Sequence, residues 1–427
     1  MVTSRNAHPD QHAPHDDGGV YERPPRPLPT PRRIIADFGT SYATNGLIGL
    51  IFSASGPVAV ILAAGAAGHL DRAVLSSWIF GVFALNGALT ILASWVYRTP
   101  LAFAWTIPGT VLVGSSLQHL SWPEVLGAFV VTSVLITAIG LTGQVRRVMS
   151  ALPQPIVMAM VAGVFLQFGI NIFRSLDDDP GIAVPIVVVF VVLLAYRRLG
   201  RFIPPIIGAL VAGALAVAVS GRFHLATTPT TWLATPALQA PQFGIQACLE
   251  LVIPLAITVI VVQNGQGTAV LESAGHRTPV NVVTIACGVF SGLAAAVGAV
   301  SSCLAGPTNA LLVAGGQRQR QYTAALTFGI LAIVVGLAAP LFVELMLATP
   351  AAFVATVGGL ALLGALQNAF RTAFSSRCTL GALVTLLVTI SGVDLLNIGA
   401  AFWGLLAGLL VSWAVEREDV RPARTGR

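Results

Sequence analysis

Leu101-Ala-Phe103-Ala-Trp105-Thr106-Ile-Pro108-Gly109-Thr110-Val-Leu-Val-Gly114 has a counterpart later in the chain, Ser301-Ser-Cys-Leu-Ala305-Gly306-Pro307-Thr308-Asn309-Ala-Leu-Leu-Val-Ala-Gly315. Each stretch is an extended run, a Pro/Gly break and then a half-length apolar helix. Proline in the first helical turn gives up no hydrogen bond it would otherwise make, and Thr or Asn beside it can cap free amides. Open backbone is prohibitive in hydrocarbon, so such breaks survive where they are buried in protein or line a cavity. Two half-helices starting near mid-depth would aim their N-terminal amides at one point, where an anion is the natural occupant. Thr106, Gly109, Thr110, Gly306, Thr308 and Asn309 are therefore candidate substrate contacts, with Phe103 and Trp105 as apolar neighbours. Ordinary proline kinks are the competing reading, weakened by the paired occurrence.

The composition places these breaks in a membrane. Of 427 residues, 55% are hydrophobic and 9% charged, and the mean hydropathy is +0.83, far from a soluble domain. Apolar runs long enough to cross a bilayer recur with short polar breaks. Seven lie near 44–68, 74–97, 101–118, 123–143, 154–173, 182–197 and 203–220, and seven more near 246–270, 280–297, 299–316, 322–346, 350–370, 377–391 and 397–415. The expected fold class is an all-α polytopic membrane protein of about fourteen segments, with short extended stretches before half-helices three and ten.

All 23 basic residues are Arg, and the net charge is +6. They lie in the loops and tails and read as topology signals, not as a nucleic-acid surface. Fourteen spans put Arg98, Arg146, Arg147, Arg197, Arg198, Arg201, Arg277, Arg318, Arg320, Arg371 and Arg377 on the side of both termini, against Arg72, Arg174 and Arg222 opposite. Both termini are thus expected in the cytoplasm, in the inner (plasma) membrane. Residues 1–40 are Pro-rich and read as a disordered tail. Cys248, Cys287, Cys303 and Cys378 lack metal spacing and read as small buried hydrophobes.

The two sevens are related. Pro57 and Pro254, Pro108 and Pro307, and Pro155 and Pro350 are 197, 199 and 195 positions apart, and Gly163–Gly358 and Gly213–Gly408 are each 195 apart. A duplicated unit with an odd number of spans must enter the membrane from opposite sides, which is the inverted repeat of many secondary transporters. The chain then divides into a first repeat, 41–221, a loop, 222–243, a second repeat, 244–415, and a cytoplasmic tail, 416–427.

Ser53 and Ser55 precede Pro57 in the first span and face the same region, or else bond their own helix. Gln263 and Asn264 form a polar cluster in the eighth span, which a length count places toward the cytoplasmic third. Glu250 and Glu344 are ionisable groups within spans and hence proton-coupling candidates, with snorkelling to the interface as the alternative. No HExxH, GxSxG or Walker motif is present, and Gly265-Gln-Gly267 fails the dinucleotide fingerprint because position 270 is Val. The chain reads as no enzyme, with no cofactor and no metal, driven by an ion gradient or running downhill.

Arg98-Thr-Pro-Leu-Ala-Phe-Ala-Trp105-Thr-Ile-Pro108-Gly109, Leu152-Pro-Gln-Pro-Ile-Val-Met-Ala-Met-Val-Ala-Gly163, Gln263-Asn264 with Gly267-Thr-Ala-Val-Leu271, and Ala400-Ala-Phe-Trp-Gly-Leu405 resemble the benzoate:proton symporter (BenE) family. That family is similar in architecture to nucleobase permeases and sulfate/bicarbonate transporters. The resemblance implies a core domain of spans 1–4 and 8–11, a gate domain of spans 5–7 and 12–14 that can pair as a homodimer, and substrate contacts at Gln263 and Asn264. It also implies proton-coupled uptake of benzoate or a similar organic carboxylate. The alternatives are a nucleobase:proton symporter and a passive organic-anion channel or uniporter. The tenth span departs from the family pattern: Gln317-Arg-Gln-Arg320 stands where an acidic turn is expected.

Overall fold

The computed structural model describes residues 20–54, 56–196, 204–223, 231–375, 377–393, 395 and 400–420. Ser55, Arg197, Arg198 and Arg201 lie outside the described residues.

The chain is mostly helical, because its apolar runs can satisfy their backbone only by helix formation in a bilayer. In order, the elements are α1 (Pro31–Asp37), α2 (Thr40–Ala67), α3 (Arg72–Tyr97), β1 (Phe103–Trp105), α4 (Ile107–Ser116), α5 (Trp122–Leu141), α6 (Val145–Ala151), α7 (Gln154–Asp178), α8 (Pro180–Ala195) and α9 (Pro205–Val219). Then follow α10 (Ile245–Ser273), α11 (Val280–Ala296), β2 (Ser302–Leu304), α12 (Gly306–Leu312), α13 (Tyr322–Leu337), α14 (Ala339–Leu347), α15 (Ala351–Ala373), α16 (Thr379–Ser391), α17 (Ala400–Val415) and α18 (Arg417–Val420). Among the described residues, seven helices are long and apolar enough to cross a membrane. The expected spans match these elements to within a few residues, apart from the run 322–346, which is divided into α13 and α14.

Local chemistry sets several starts. The Asp71 carboxylate accepts from the Val74 amide at 2.8 Å at the head of α3, and Ser121 with Glu124 forms a reciprocal capping box on α5. Pro108, Pro123, Pro155 and Pro307 all occupy first-turn positions.

Two packing groups result. In one, α2 lies on α13, α3 on α13, α5 on α11 and α12 on both α2 and α10; in the other, α7 lies on α15 and α16, α8 on α9 and α16 on α17. The first encloses a core around Trp78, Phe83, Trp105, Phe129 and Phe328, with Trp78 and Trp122 stacked at 5.2 Å. The second has its own core, built from Ile156, Met160, Phe165, Leu362 and Leu386. The groups meet where α2 touches α15, α4 touches α7 and α10 touches α17.

The expectation of a disordered tail through residue 40 is corrected for residues 20–40. The Glu22 carboxylate accepts from the Asn281 and Val282 amides at 2.9 and 3.1 Å, capping α11, and the Tyr97 hydroxyl donates to the Glu22 carbonyl at 2.8 Å. Asp37, buried at the end of α1, accepts from Arg33, Arg98 and the Tyr322 hydroxyl at 3.2, 3.3 and 3.0 Å. An average over composition misses this because two carboxylates, meeting amides and guanidinium groups from distant segments, are enough to hold the stretch down.

Candidate functional site

β1 and β2 pair antiparallel, Phe103 with Leu304, Ala104 with Cys303 and Trp105 with Ser302, and each leads directly into a short helix, α4 or α12. The ladder is extended by Thr106 N–H donating to the Ser301 carbonyl at 3.1 Å and Ala305 N–H to the Ala102 carbonyl at 3.0 Å. Six backbone residues in extended form are thus satisfied deep inside the protein, as the hydrocarbon requires.

Two asparagines hold this crossing. Asn309 Oδ1 accepts from the Ala102 amide at 3.0 Å, while its Nδ2 donates to the carbonyls of Ala102 and Ala305 at 3.1 and 2.8 Å. Asn264 Oδ1 accepts from the Leu304 amide at 2.7 Å, and its Nδ2 is buried without a partner. Gln263 and Asn264 are both buried, and Asn264 bonds directly to β2. α10 carries two wide π-type turns, Cys248–Val252 and Thr258–Asn264, flanking Pro254, and the second delivers Asn264 to the strand. Such bulges concentrate at functional positions.

The hydroxyls expected at the half-helix starts are also here. Thr106 Oγ1 accepts from the Gly109 amide at 3.2 Å and donates to Thr258 Oγ1 at 3.0 Å, and the Thr110 hydroxyl donates to the Thr106 carbonyl. Ser53 and Thr308 hydroxyls are 3.2 Å apart. Phe103 and Trp105 are sealed into the interior, Trp105 edge-on to Phe83 at 5.1 Å, and the indole N–H of Trp105 and the hydroxyls of Ser301 and Ser302 are buried without partners.

Two cavities lie along the seam between the packing groups, one at the start of α7 and one against its middle turns. One, of about 590 Å³, is lined by residues including Gln154, Met158, Val262, Gln266, Asn368 and Arg377. Gln266, which sequence reading quoted but did not select, reaches from this cavity to the head of α12: a Cβ on Gly306 would lie 2.5 Å from Gln266 Cγ. The other cavity, of about 530 Å³, is lined by residues including His119, Gln167, Asn171 and Glu250. Between them Val60, Ile156, Met160 and Ile257 pack with Ile107 and Val111 into an apolar barrier. Ser53, Thr106, Thr308 and Asn309 line neither cavity.

Of the two carboxylates, Glu250 is buried and bonded: Ser116 donates its hydroxyl to Oε1, and His119 Nε2 lies 2.9 Å from Oε2. His119 carried no sequence signal, being a lone His in a loop. Glu344 is half-buried on α14 and lines neither cavity. Among the described residues no three His, Cys, Asp or Glu side chains are grouped to hold a metal, and all four cysteines are free thiols.

Comparisons agree with this architecture. The family described as "BenE: Benzoate membrane transport protein" matches residues 36–414. The chain is 29% identical over 382 residues to the benzoate membrane transport protein of Acinetobacter baylyi, covering 88% of this chain and 95% of that protein. It is likewise 29% identical over 368 residues to the inner membrane protein YdcO of Escherichia coli, covering 85% and 93%. Its fold is similar to the transmembrane domain of a cyanobacterium bicarbonate transporter, BicA, with a TM-score of 0.59, 15% identity and coverage of 87% and 98%. The chain belongs to the benzoate membrane transport protein (BenE) family and is an integral membrane transporter.

Proposed function

We propose that this protein imports a small organic carboxylate, benzoate or a similar aromatic acid, together with a proton by alternating access. The observation that carries the reading is the antiparallel β1–β2 pair opening into two half-helices, between two cavities separated by an apolar barrier. The carboxylate would sit where α4 and α12 begin, near the Ser53–Thr308 hydroxyl pair, reached by way of Gln266. With Phe103 and Trp105 sealed in the interior, the ring would instead rest on Met158, Val261 and Val262 of the first cavity.

Fourteen segments support the transport cycle in this reading: α12 and the thirteen longer apolar helices, arranged as two inverted sevens with both termini cytoplasmic. The group containing β1 and β2 is the core that carries substrate, and the group around α7 and α15 is the gate and the surface for a homodimer. The A. baylyi protein's name, the conserved offsets of Pro and Gly within this chain and the BicA-like fold all favour it.

Symport of one proton with one monoanion moves no net charge, so uptake should follow the pH gradient and ignore a potential worth about 2.3 kcal/mol per charge per 100 mV. Labelled benzoate in proteoliposomes should accumulate with acid outside and stay level under an imposed potential at matched pH; a potential-driven uptake current would defeat one-to-one coupling. Displacement by uracil or xanthine but not by salicylate would assign a nucleobase carrier instead, and flux that leaves internal pH unchanged would leave a uniporter.

A further inference from the structure

We infer that Glu250, Ser116 and His119 form the proton-carrying site of the transporter, facing the second cavity and separate from the anion site. This rests on the proton-coupled reading above.

Glu250 sits in the first π-type turn of α10, about 8 Å along the helix from Ile245 at 1.5 Å per residue. Its side chain is 4% exposed, whereas the His119 side chain is 23% exposed. Both residues line the cavity, the imidazole being the more open of the two. Ser116 from the end of α4 bonds the other carboxylate oxygen, so both oxygens are engaged by groups that tolerate either protonation state: a hydroxyl can donate or accept, and a ring nitrogen can do the same.

The surroundings isolate the pair. Among the described residues lining the cavity, His119 and Glu250 are the only ionisable ones; Gln118, Gln167 and Asn171 supply neutral polarity. The elements packed on this turn contribute no titratable group from α4, Glu124 from α5, and Cys248 from α10 itself. The Glu124 carboxylate is taken up by the Ser121 amide and hydroxyl at 2.9 and 2.6 Å. Among the described residues no Arg lines the cavity beside Glu250, and a carboxylate within a membrane span is a candidate proton carrier.

The step is a simple transfer. Hydronium in the solvent reaching the cavity gives a proton to His119, leaving water, and the Glu250–His119 pair, bonded ring to carboxylate, passes from one negative charge to none. The neutral pair can then move with the core past the apolar barrier of the seam, and the proton is released to water on the far side. Ser116 ties the pair to the end of α4, the half-helix whose other end meets the proposed anion site. Proton and anion loads thus act on one rigid element.

The test uses the full chain in proteoliposomes, reading labelled benzoate in two modes: accumulation driven by a pH gradient, and counterflow exchange at matched pH. Glu250→Gln should lose gradient-driven accumulation, falling to the level of protein-free liposomes, while counterflow continues. Glu250→Asp should recover part of the accumulation. His119→Gln should shift the pH dependence of uptake, and Glu344→Gln should leave it in place. Gradient-driven accumulation surviving in Glu250→Gln, or an unshifted profile in His119→Gln, would overturn the assignment. Wild-type protein that exchanges benzoate but never accumulates it with acid outside would overturn proton coupling itself. Loss of counterflow in the wild type would instead strike the substrate reading.

Discussion

Asn309 grips the peptide of Ala102 from both sides, accepting from its N–H at 3.0 Å and donating to its carbonyl at 3.1 Å across 207 positions of sequence. Its third bond, to the Ala305 carbonyl at 2.8 Å, ties the same amide to the head of its own helix. Asn309 therefore acts as a strand staple. Asn309→Ala should leave buried backbone groups unpaired and cost about 2–4 kcal/mol. The check is thermal unfolding in detergent, where a transition unmoved by the substitution would contradict the staple.

Gly267 and Gly306 bracket the same crossing but differ in what surrounds them. A Cβ on Gly267 would lie 2.8 Å from the Leu304 backbone oxygen, whereas one on Gly306 would meet the flexible side chain of Gln266. Gly267→Ala should therefore cost about 1–3 kcal/mol by forcing α10 off β2. Gly306→Ala should cost little stability but weaken benzoate affinity, since Gln266 must turn away. Comparing unfolding and thermal-shift titrations of the two variants separates these outcomes.

Asp37 and Arg98 form a part-buried pair at 3.3 Å, with Tyr322 and Arg33 completing the carboxylate's shell. Asp37→Asn removes one charge and leaves the guanidinium uncompensated, a loss of about 3–5 kcal/mol when fully buried and less here. Residues 20–37 should then come away from the body. Limited proteolysis should cleave the variant in this stretch sooner than the wild type, with the membrane helices intact.

His276, in the loop between α10 and α11, donates to Gln321 Oε1 at 2.7 Å. Burial pushes its imidazole below the ordinary value of 6.5; the Gln321 bond opposes this, and Arg318 and Arg26 add to it. The folded chain thus holds this proton less tightly than the unfolded chain. The stability is complete above the unfolded value and is lost as pH falls through the folded one. Melting temperature should decline on acidification from about pH 7 to pH 5, and His276→Gln should flatten that decline.

The spans were legible in the sequence because hydropathy and Pro/Gly punctuation act locally: the expected run 280–297 is α11, Val280–Ala296, and the breaks at Pro108 and Pro307 do start half-helices. Local chemistry likewise announced Thr106 as a cap. Partners were beyond its reach. Asn309 and Asn264 stand out in sequence only as candidate substrate contacts, and the antiparallel crossing alone shows that they bond strand backbone. His119 and Glu250 lie 131 positions apart and meet because α4 ends where the first bulge of α10 turns its carboxylate. The chain by itself determined a membrane protein with two broken segments, since burial of apolar runs depends on composition alone. Only tertiary structure decided which polar groups are spent on holding those breaks and which still face a cavity, because hydrogen-bond satisfaction depends on distances that no local pattern encodes.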